Sequence, residues 1–295
     1  MRRSRLPAPA RHPAPVIRLA AGLALGLGLL GTPARAAGPL PIACPAVGTH
    51  MKLASPLART AARLRAGEPV VIVAFGSSST AGAGATSPEA SYPSRLQATL
   101  RERFPQAHIA VLNRGVNGQD LPEMLKRFDR DVAPLKPTLV LWQAGVNALF
   151  RANGLANADA QWHEAIARVR AIDADLVLID PQYAPRVLGD ADSGPMVKLI
   201  DDIAREEGVD VYHRFALMRG WHETAGMAFD AFLWKDKFHM NDWGYNCFAQ
   251  DLGEAMVANI DAQQRSADVS PGVTVPVTLS HPAATNALLG ADPRP

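Results

Sequence analysis

The 295-residue sequence predicts an α/β fold, a three-layer α/β/α sandwich on a five-stranded parallel sheet. Three observations carry this. Apolar runs without polar alternation recur between residues 69 and 212, as strands buried on both faces require. Each run ends in a corner of small or polar residues, and a helical stretch follows. The order βαβαβαβαβα closes into a parallel sheet under the right-handed crossover rule, with helices on both faces and the site outside the carboxyl ends of the strands.

The chain begins with Arg2, Arg3, Arg5, Arg11 and Arg18 and no acid, then an apolar run from Leu19 to Gly31, then Ala34-Arg35-Ala36. Residues 1–36 read as a signal peptide cleaved after Ala36, since the apolar run falls short of the ~18 residues needed to span a bilayer. Arg2-Arg3 leaves the twin-arginine route open beside the general one. The expected location is periplasmic or secreted, with no transmembrane segment in the mature chain. Six basic residues and no acidic one stand in the first 36 positions, so without them the formal charge of +2 becomes −4. A nucleic-acid surface is therefore not expected.

Residues 37–66 read as an N-terminal arm with a short helix from about Leu57 to Arg65, and residues 67–263 as the main domain. The first strand is Val70 to Phe75. It stops at Gly76-Ser77-Ser78-Ser79-Thr80, followed by Ala81-Gly82-Ala83-Gly84. A phosphate cradle is one reading of these glycines, but the third glycine of a dinucleotide fingerprint and the Gly-Lys-Ser/Thr end of a P-loop are missing. A nucleophilic serine at the strand end is the other, and it needs a base that a third group orients.

Ser91 to Phe104 follows as an amphipathic helix, with Leu96 and Leu100 on one side, closed by Pro105. His108 to Leu112 is the second strand, ending in Asn113-Arg114-Gly115-Val116-Asn117-Gly118. Leu121 to Val132 is a helix with Pro122 in its first turn. Thr138 to Trp142 is the third strand, ending in Gln143-Ala144-Gly145-Val146-Asn147, with a helix from Asn157 to Ile172. Leu176 to Ile179 is the fourth, a polar loop runs through Pro195, and a helix spans Met196 to Glu207. Val209 to Tyr212 is the fifth. A helix around Phe215 to Thr224 and a final helix to about Asn259 complete the domain, and residues 264–295 read as a disordered tail poor in charge.

Asp236 and His239 lie three residues apart after the fifth strand, so the carboxylate can meet Nδ1–H and leave Nε2 free for a serine proton. A surface pair at this spacing is common, and its place at the carboxyl edge is what marks it. Gly118 and Asn147, at the ends of the second and third strands, can offer a backbone N–H and an amide to an oxyanion. Alone, Gly118 reads as a turn glycine and Asn147 as a helix cap.

Together these residues resemble the SGNH hydrolases, the GDSL lipase/esterase superfamily. Phe75-Gly76-Ser77-Ser78-Ser79-Thr80 is similar to the first block with Ser78 as nucleophile, Asn113 to Gly118 to the second, Gly145-Val146-Asn147 to the third and Asp236-Lys237-Phe238-His239 to the last. The likeness covers residues 69–257 and departs at Ser77 and Ala148, where the family has Asp. It implies a flavodoxin-like sandwich and a serine esterase. Ser78, Asp236 and His239 would be its triad, the oxyanion hole would form from Ser78, Gly118 and Asn147, and no cofactor or metal would be needed. The substrate it implies is a small-molecule or glycan ester with a short acyl group, acetyl above all. An acyltransferase of the same fold and a non-catalytic glycan-binding module are the alternatives.

By topology the loop Pro181 to Pro195 reaches the same edge, which makes Gln182, Tyr183 and Arg186 candidate substrate-wall residues. Trp142, Trp221, Trp234 and Trp243 can line a sugar or acyl site or belong to the core. His163, His213 and His222 lack metal spacing. Cys44 and Cys247 can pair in an oxidising compartment and tie the arm to the last helix, and two buried thiols fit the count as well. Nothing in the sequence marks an oligomeric interface.

Overall fold

The structure is a computed structural model that describes residues 43–46 and 52–268. The expected signal peptide and the tail beyond 268 lie outside the described residues. Five parallel strands, β1 (Val70–Gly76), β2 (Ile109–Gly115), β3 (Leu139–Gln143), β4 (Asp175–Ile179) and β5 (Asp210–Tyr212), form one sheet in the order β2-β1-β3-β4-β5. β3, β4 and the short edge strand β5 are buried throughout, whereas β2, at the other edge, is half-buried beyond Ile109. The strand order reverses between β1 and β3, and the crevice outside their carboxyl ends is where an open α/β sheet holds its ligand.

The helices are α1 (Ala58–Arg65), α2 (Ser78–Ala81), α3 (Tyr92–Arg103), α4 (Leu121–Asp131), α5 (Ala158–Ala171), α6 (Pro185–Leu188), α7 (Ser193–Glu207), α8 (Arg214–Arg219), α9 (Phe229–Phe232) and α10 (Asp242–Asp268). One layer joins α1 and α3 to α10, and the other joins α4, α5 and α7. Asp120 and Glu123 form a capping box that starts α4 just past β2. Among the described residues, no helix is long and apolar enough to cross a membrane.

Several elements differ from the sequence reading: β2 runs on to Gly115, and the short helices α6 and α9 were not expected. α10 continues to Asp268, past the expected end near Asn259 and the expected tail boundary at 264, because residues 261–268 contain no glycine or proline to stop it. α7 starts at Ser193, with Pro195 in its first turn, where a missing N–H costs nothing. After α8 the chain widens into a π-helical turn, Gly220–Thr224.

The arm is stitched to the body. The Asp210 carboxylate accepts the N–H groups of Ala54 (2.8 Å) and Ser55 (2.9 Å). Asn259 accepts from the Leu57 N–H at 2.9 Å and donates to the carbonyls of Leu53 and Ser55 at 3.0 Å. Leu53 and Leu57 join the core. Cys44 and Cys247 form a disulfide with Cα atoms 5.4 Å apart.

Candidate active site

β1 delivers Ser78. Phe75 locks the strand end, edge-on to Trp142 and Phe128 with ring centroids 4.8 and 6.1 Å away. The chain then turns where only glycine fits, because a Cβ on Gly76 would lie 2.3 Å from Thr80 Oγ1 and 2.8 Å from the Gln143 carbonyl. Ser77 is extended and Ser78 is the first residue of α2. Gln143, fully buried at the end of β3, holds this turn: its Oε1 accepts from the Ser77 N–H (3.0 Å), the Ser77 hydroxyl (2.9 Å) and the Thr80 hydroxyl (3.1 Å). The Ser77 hydroxyl is thus engaged, and of the two other buried serines it is Ser78 whose Oγ lies 2.8 Å from His239 Nε2.

The loop between α9 and α10 brings the acid and the histidine. Lys237 adopts φ +54°, tightening the turn so that Asp236 Oδ1 accepts the N–H groups of Phe238 and His239, both at 3.0 Å. Asp236 Oδ2 stands 2.6 Å from His239 Nδ1. Partial burial pushes the Asp236 carboxyl up, but the hydrogen bonds from the His239 ring and the two backbone N–H groups outweigh it and hold the group below its ordinary value. With Nδ1–H donated to Asp236, Nε2 presents its lone pair to the Ser78 hydroxyl.

Gly82-Ala83-Gly84 seats this loop. Gly84 has φ +89°, and a Cβ there would lie 2.5 Å from the Met240 carbonyl and 3.1 Å from His239 Cβ. Tyr245 donates its hydroxyl to the Ala83 carbonyl at 2.7 Å. These glycines do not form a phosphate turn; they let two loops touch.

On the facing side, the N–H groups of Ser78 and Gly118 have no protein acceptor among the described residues. Asn147 donates one amide hydrogen to the Gln119 carbonyl at 2.8 Å and keeps the second. Glycine at 118 is required by φ +74° and not by space, since a Cβ would meet nothing within 4 Å. Arg151 fixes the Gly118 carbonyl at 2.9 Å and pairs with Glu123 at 2.5 Å. Beneath, the buried Arg127 ties the turns together, donating to Gln119 Oε1 (2.5 Å) and the Gly76 carbonyl (3.0 Å) while its guanidinium lies 4.1 Å from the Phe75 ring centroid.

Gln143, Arg127 and Arg151 were not singled out from the sequence. The available signal was a polar residue closing an apolar strand, and an arginine next to the apolar face of α4 formed by Leu121, Met124, Leu125 and Phe128.

The candidate wall residues divide. Gln182 is buried, accepting from Arg214 at 3.0 Å and donating to the Phe238 carbonyl at 3.4 Å, so it braces the histidine loop from behind. Tyr183 is 8% exposed, donates to Glu223 at 2.7 Å and packs on Phe215 and Phe229. Neither side chain lines an open surface, because both loop residues turn inward to the core. Arg186 is exposed and lies over the rings of Phe150 and Phe238. Trp142 and Trp221 are core and Trp243 packs on Trp221, whereas Trp234 is 39% exposed. His163, His213 and His222 lie apart, against Glu207, Asp180 and the Met227 carbonyl, and among the described residues no three ligating side chains gather for a metal.

The parallel sheet with these blocks on its carboxyl edge has the fold of the SGNH hydrolases. Residues 43–262 match the Non-GDSL lipase-like family, and the chain belongs to it. No curated protein matches the sequence. Among solved structures it is similar to a two-domain esterase active on acetylated mannans (19% identity, TM-score 0.60, covering 71% of this chain and 56% of that one). It is also similar to an acetylxylan esterase from Geobacillus stearothermophilus (18%, TM-score 0.52, 65% and 94%) and to a lipase/acylhydrolase from Enterococcus faecalis (22%, TM-score 0.51, 66% and 96%). The chain thus spans little more than half of the two-domain esterase, and at these identities the likeness is one of fold.

Proposed function

We propose that the protein is an exported serine esterase that removes short acyl groups, acetyl above all, from carbohydrate. The observation that carries this is the continuous relay Asp236–His239–Ser78, with links of 2.6 and 2.8 Å. Ser78 Oγ attacks the ester carbonyl as His239 Nε2 takes its proton. Asp236 holds the ring and stabilises the imidazolium. The N–H groups of Ser78 and Gly118 and the free Asn147 N–H receive the oxyanion. His239 then protonates the departing alcohol, and water, deprotonated by His239, releases the acid.

His239 points at Ser78, which speaks against a binding module that merely kept the fold. The fold neighbours described as active on acetylated mannans and as acetylxylan esterases support a carbohydrate ester as substrate. Export is supported by the N-terminal arginines with the apolar run behind them and by the Cys44–Cys247 disulfide, a bond that persists outside the reducing cytosol. The test is hydrolysis of p-nitrophenyl acetate, butyrate and octanoate by the full chain beside Ser78→Ala. Turnover that falls with chain length and vanishes in the variant is expected. A folded protein inert on every ester would overturn the hydrolase and favour an acyltransferase that needs its own acceptor.

A further inference from the structure

The exposed large hydrophobic residues among those described are Val116, Phe150, Leu188 and Trp234. They stand on the segments after β2, β3, β4 and β5 respectively, all on the edge that carries Ser78. Single exposed apolar residues are ordinary, but here one stands on each of four segments that follow the strands of the functional edge.

Two aromatic positions on this edge carry a cation. The Arg186 guanidinium carbon lies 4.4 Å from the Phe150 ring centroid and 5.0 Å from that of Phe238. Lys235 Nζ lies 4.5 Å from the Trp234 ring. Both pairs adjoin the histidine. Phe238 meets the His239 ring edge-on at 4.6 Å, and the Trp234 N–H donates to the His239 carbonyl at 2.8 Å. They flank it from different loops: Phe238 packs with Phe150 after β3, while Trp234 abuts Gly84 after β1, where an added Cβ would lie 3.1 Å from Trp234 Cβ.

Neither Arg186 nor Lys235 has a carboxylate within ion-pair distance among the described residues, whereas their neighbours Lys237 and Arg151 pair with Asp230 and Glu123. Stacking on a ring fixes the guanidinium plane and leaves the N–H fork at its edge, matched to a carboxylate. Aromatic faces beside a fixed, unpaired cation are complementary to a ring with C–H faces and an acidic group.

We propose, on the basis of the esterase reading above, that this edge selects an acidic substrate: an O-acylated oligosaccharide containing uronic acid. Its sugar faces lie on Trp234 and Phe150, and its carboxylate bonds to Arg186 with Lys235 adding charge from the other side of His239. Neutral acylated saccharides use the same aromatic faces without the ionic contact.

The test measures acetate release by the full chain from O-acetylated glucuronate-containing xylooligosaccharides and from neutral O-acetylated ones of equal length. The ratio of kcat/KM values is taken within each protein, so that a general loss of activity cancels. The wild type should favour the acidic substrate roughly ten- to a hundredfold, the worth of one charge-assisted hydrogen bond. This preference should shrink in 1 M salt, where the screening length is ~3 Å. Arg186→Gln should cut it about tenfold and Lys235→Gln by a smaller factor. In parallel, calorimetry with Ser78→Ala compares binding of the deacetylated acidic and neutral oligosaccharides without turnover. Ser78-dependent hydrolysis with no preference and equal binding would overturn the acidic-substrate assignment and leave the esterase intact. Selective binding of the acidic ligand with no ester hydrolysed would do the reverse.

Discussion

Gln143→Leu isolates the device that holds the Ser77-Ser78 turn. The change nearly conserves volume but removes Oε1, which serves three donors: the Ser77 N–H, the Ser77 hydroxyl and the Thr80 hydroxyl. The amide orientation is fixed by chemistry, since the Ser77 N–H can only donate. The Thr80 hydroxyl can rotate toward Tyr92 Oη, 3.5 Å away, but both Ser77 donors lose their acceptor in a site with no solvent access. Each buried orphan costs ~1–3 kcal/mol, so the two give a loss of about 2–6 kcal/mol in urea denaturation. The same loss releases Ser78 from its position 2.8 Å from His239, and misplacement of a reacting group by about 1 Å costs ~100-fold in kcat. A variant destabilised by less than about 1 kcal/mol, with unchanged turnover of p-nitrophenyl acetate, would refute this role.

Asp236→Asn should lower kcat ~10⁴-fold through loss of the correct tautomer, with KM little changed. Because the fold lowers the Asp236 pKa, its stabilisation is present above the carboxyl's ordinary value and is lost as pH falls through the folded one; the Asn variant should therefore show a weaker decline of stability in acid. Asn147→Ala should cost ~10²–10³ in kcat if its second N–H meets the oxyanion, and an unchanged rate would remove it from that role. Replacing Cys44 and Cys247 together by Ala frees a loop with a sequence separation of 203 residues. A loss of about 2–5 kcal/mol in denaturation is expected, and an unshifted midpoint would deny the disulfide a stabilising part.

The sheet was legible because parallel strands buried on both faces are written as unbroken apolar runs, as Leu139 to Trp142 shows. Ser78, Gly118 and Asn147 were legible as residue types just past strand ends, and Asp236 and His239 by their short Asp-x-x-His spacing before the last helix. What supports them was not. Gln143 contributes through three hydrogen bonds to residues 63 to 66 positions away, a partnership no local pattern encodes. Arg127, at the margin of the apolar face of α4, is drawn inward by the Gly76 carbonyl and the Phe75 ring, which belong to another element. Topology alone sent Gln182 and Tyr183 to the substrate side, whereas their side chains are claimed by Arg214 and Glu223. The end of α10 was misplaced because a polar stretch without helix breakers reads equally as a tail.

The most direct test of the central claim is to react the folded full-length protein with a fluorophosphonate, which captures only an activated serine, and to map the adduct by peptide mass spectrometry. A single adduct on Ser78, absent from His239→Ala, is expected. An adduct on Ser77 or Ser79, or equal labelling without His239, would contradict that claim.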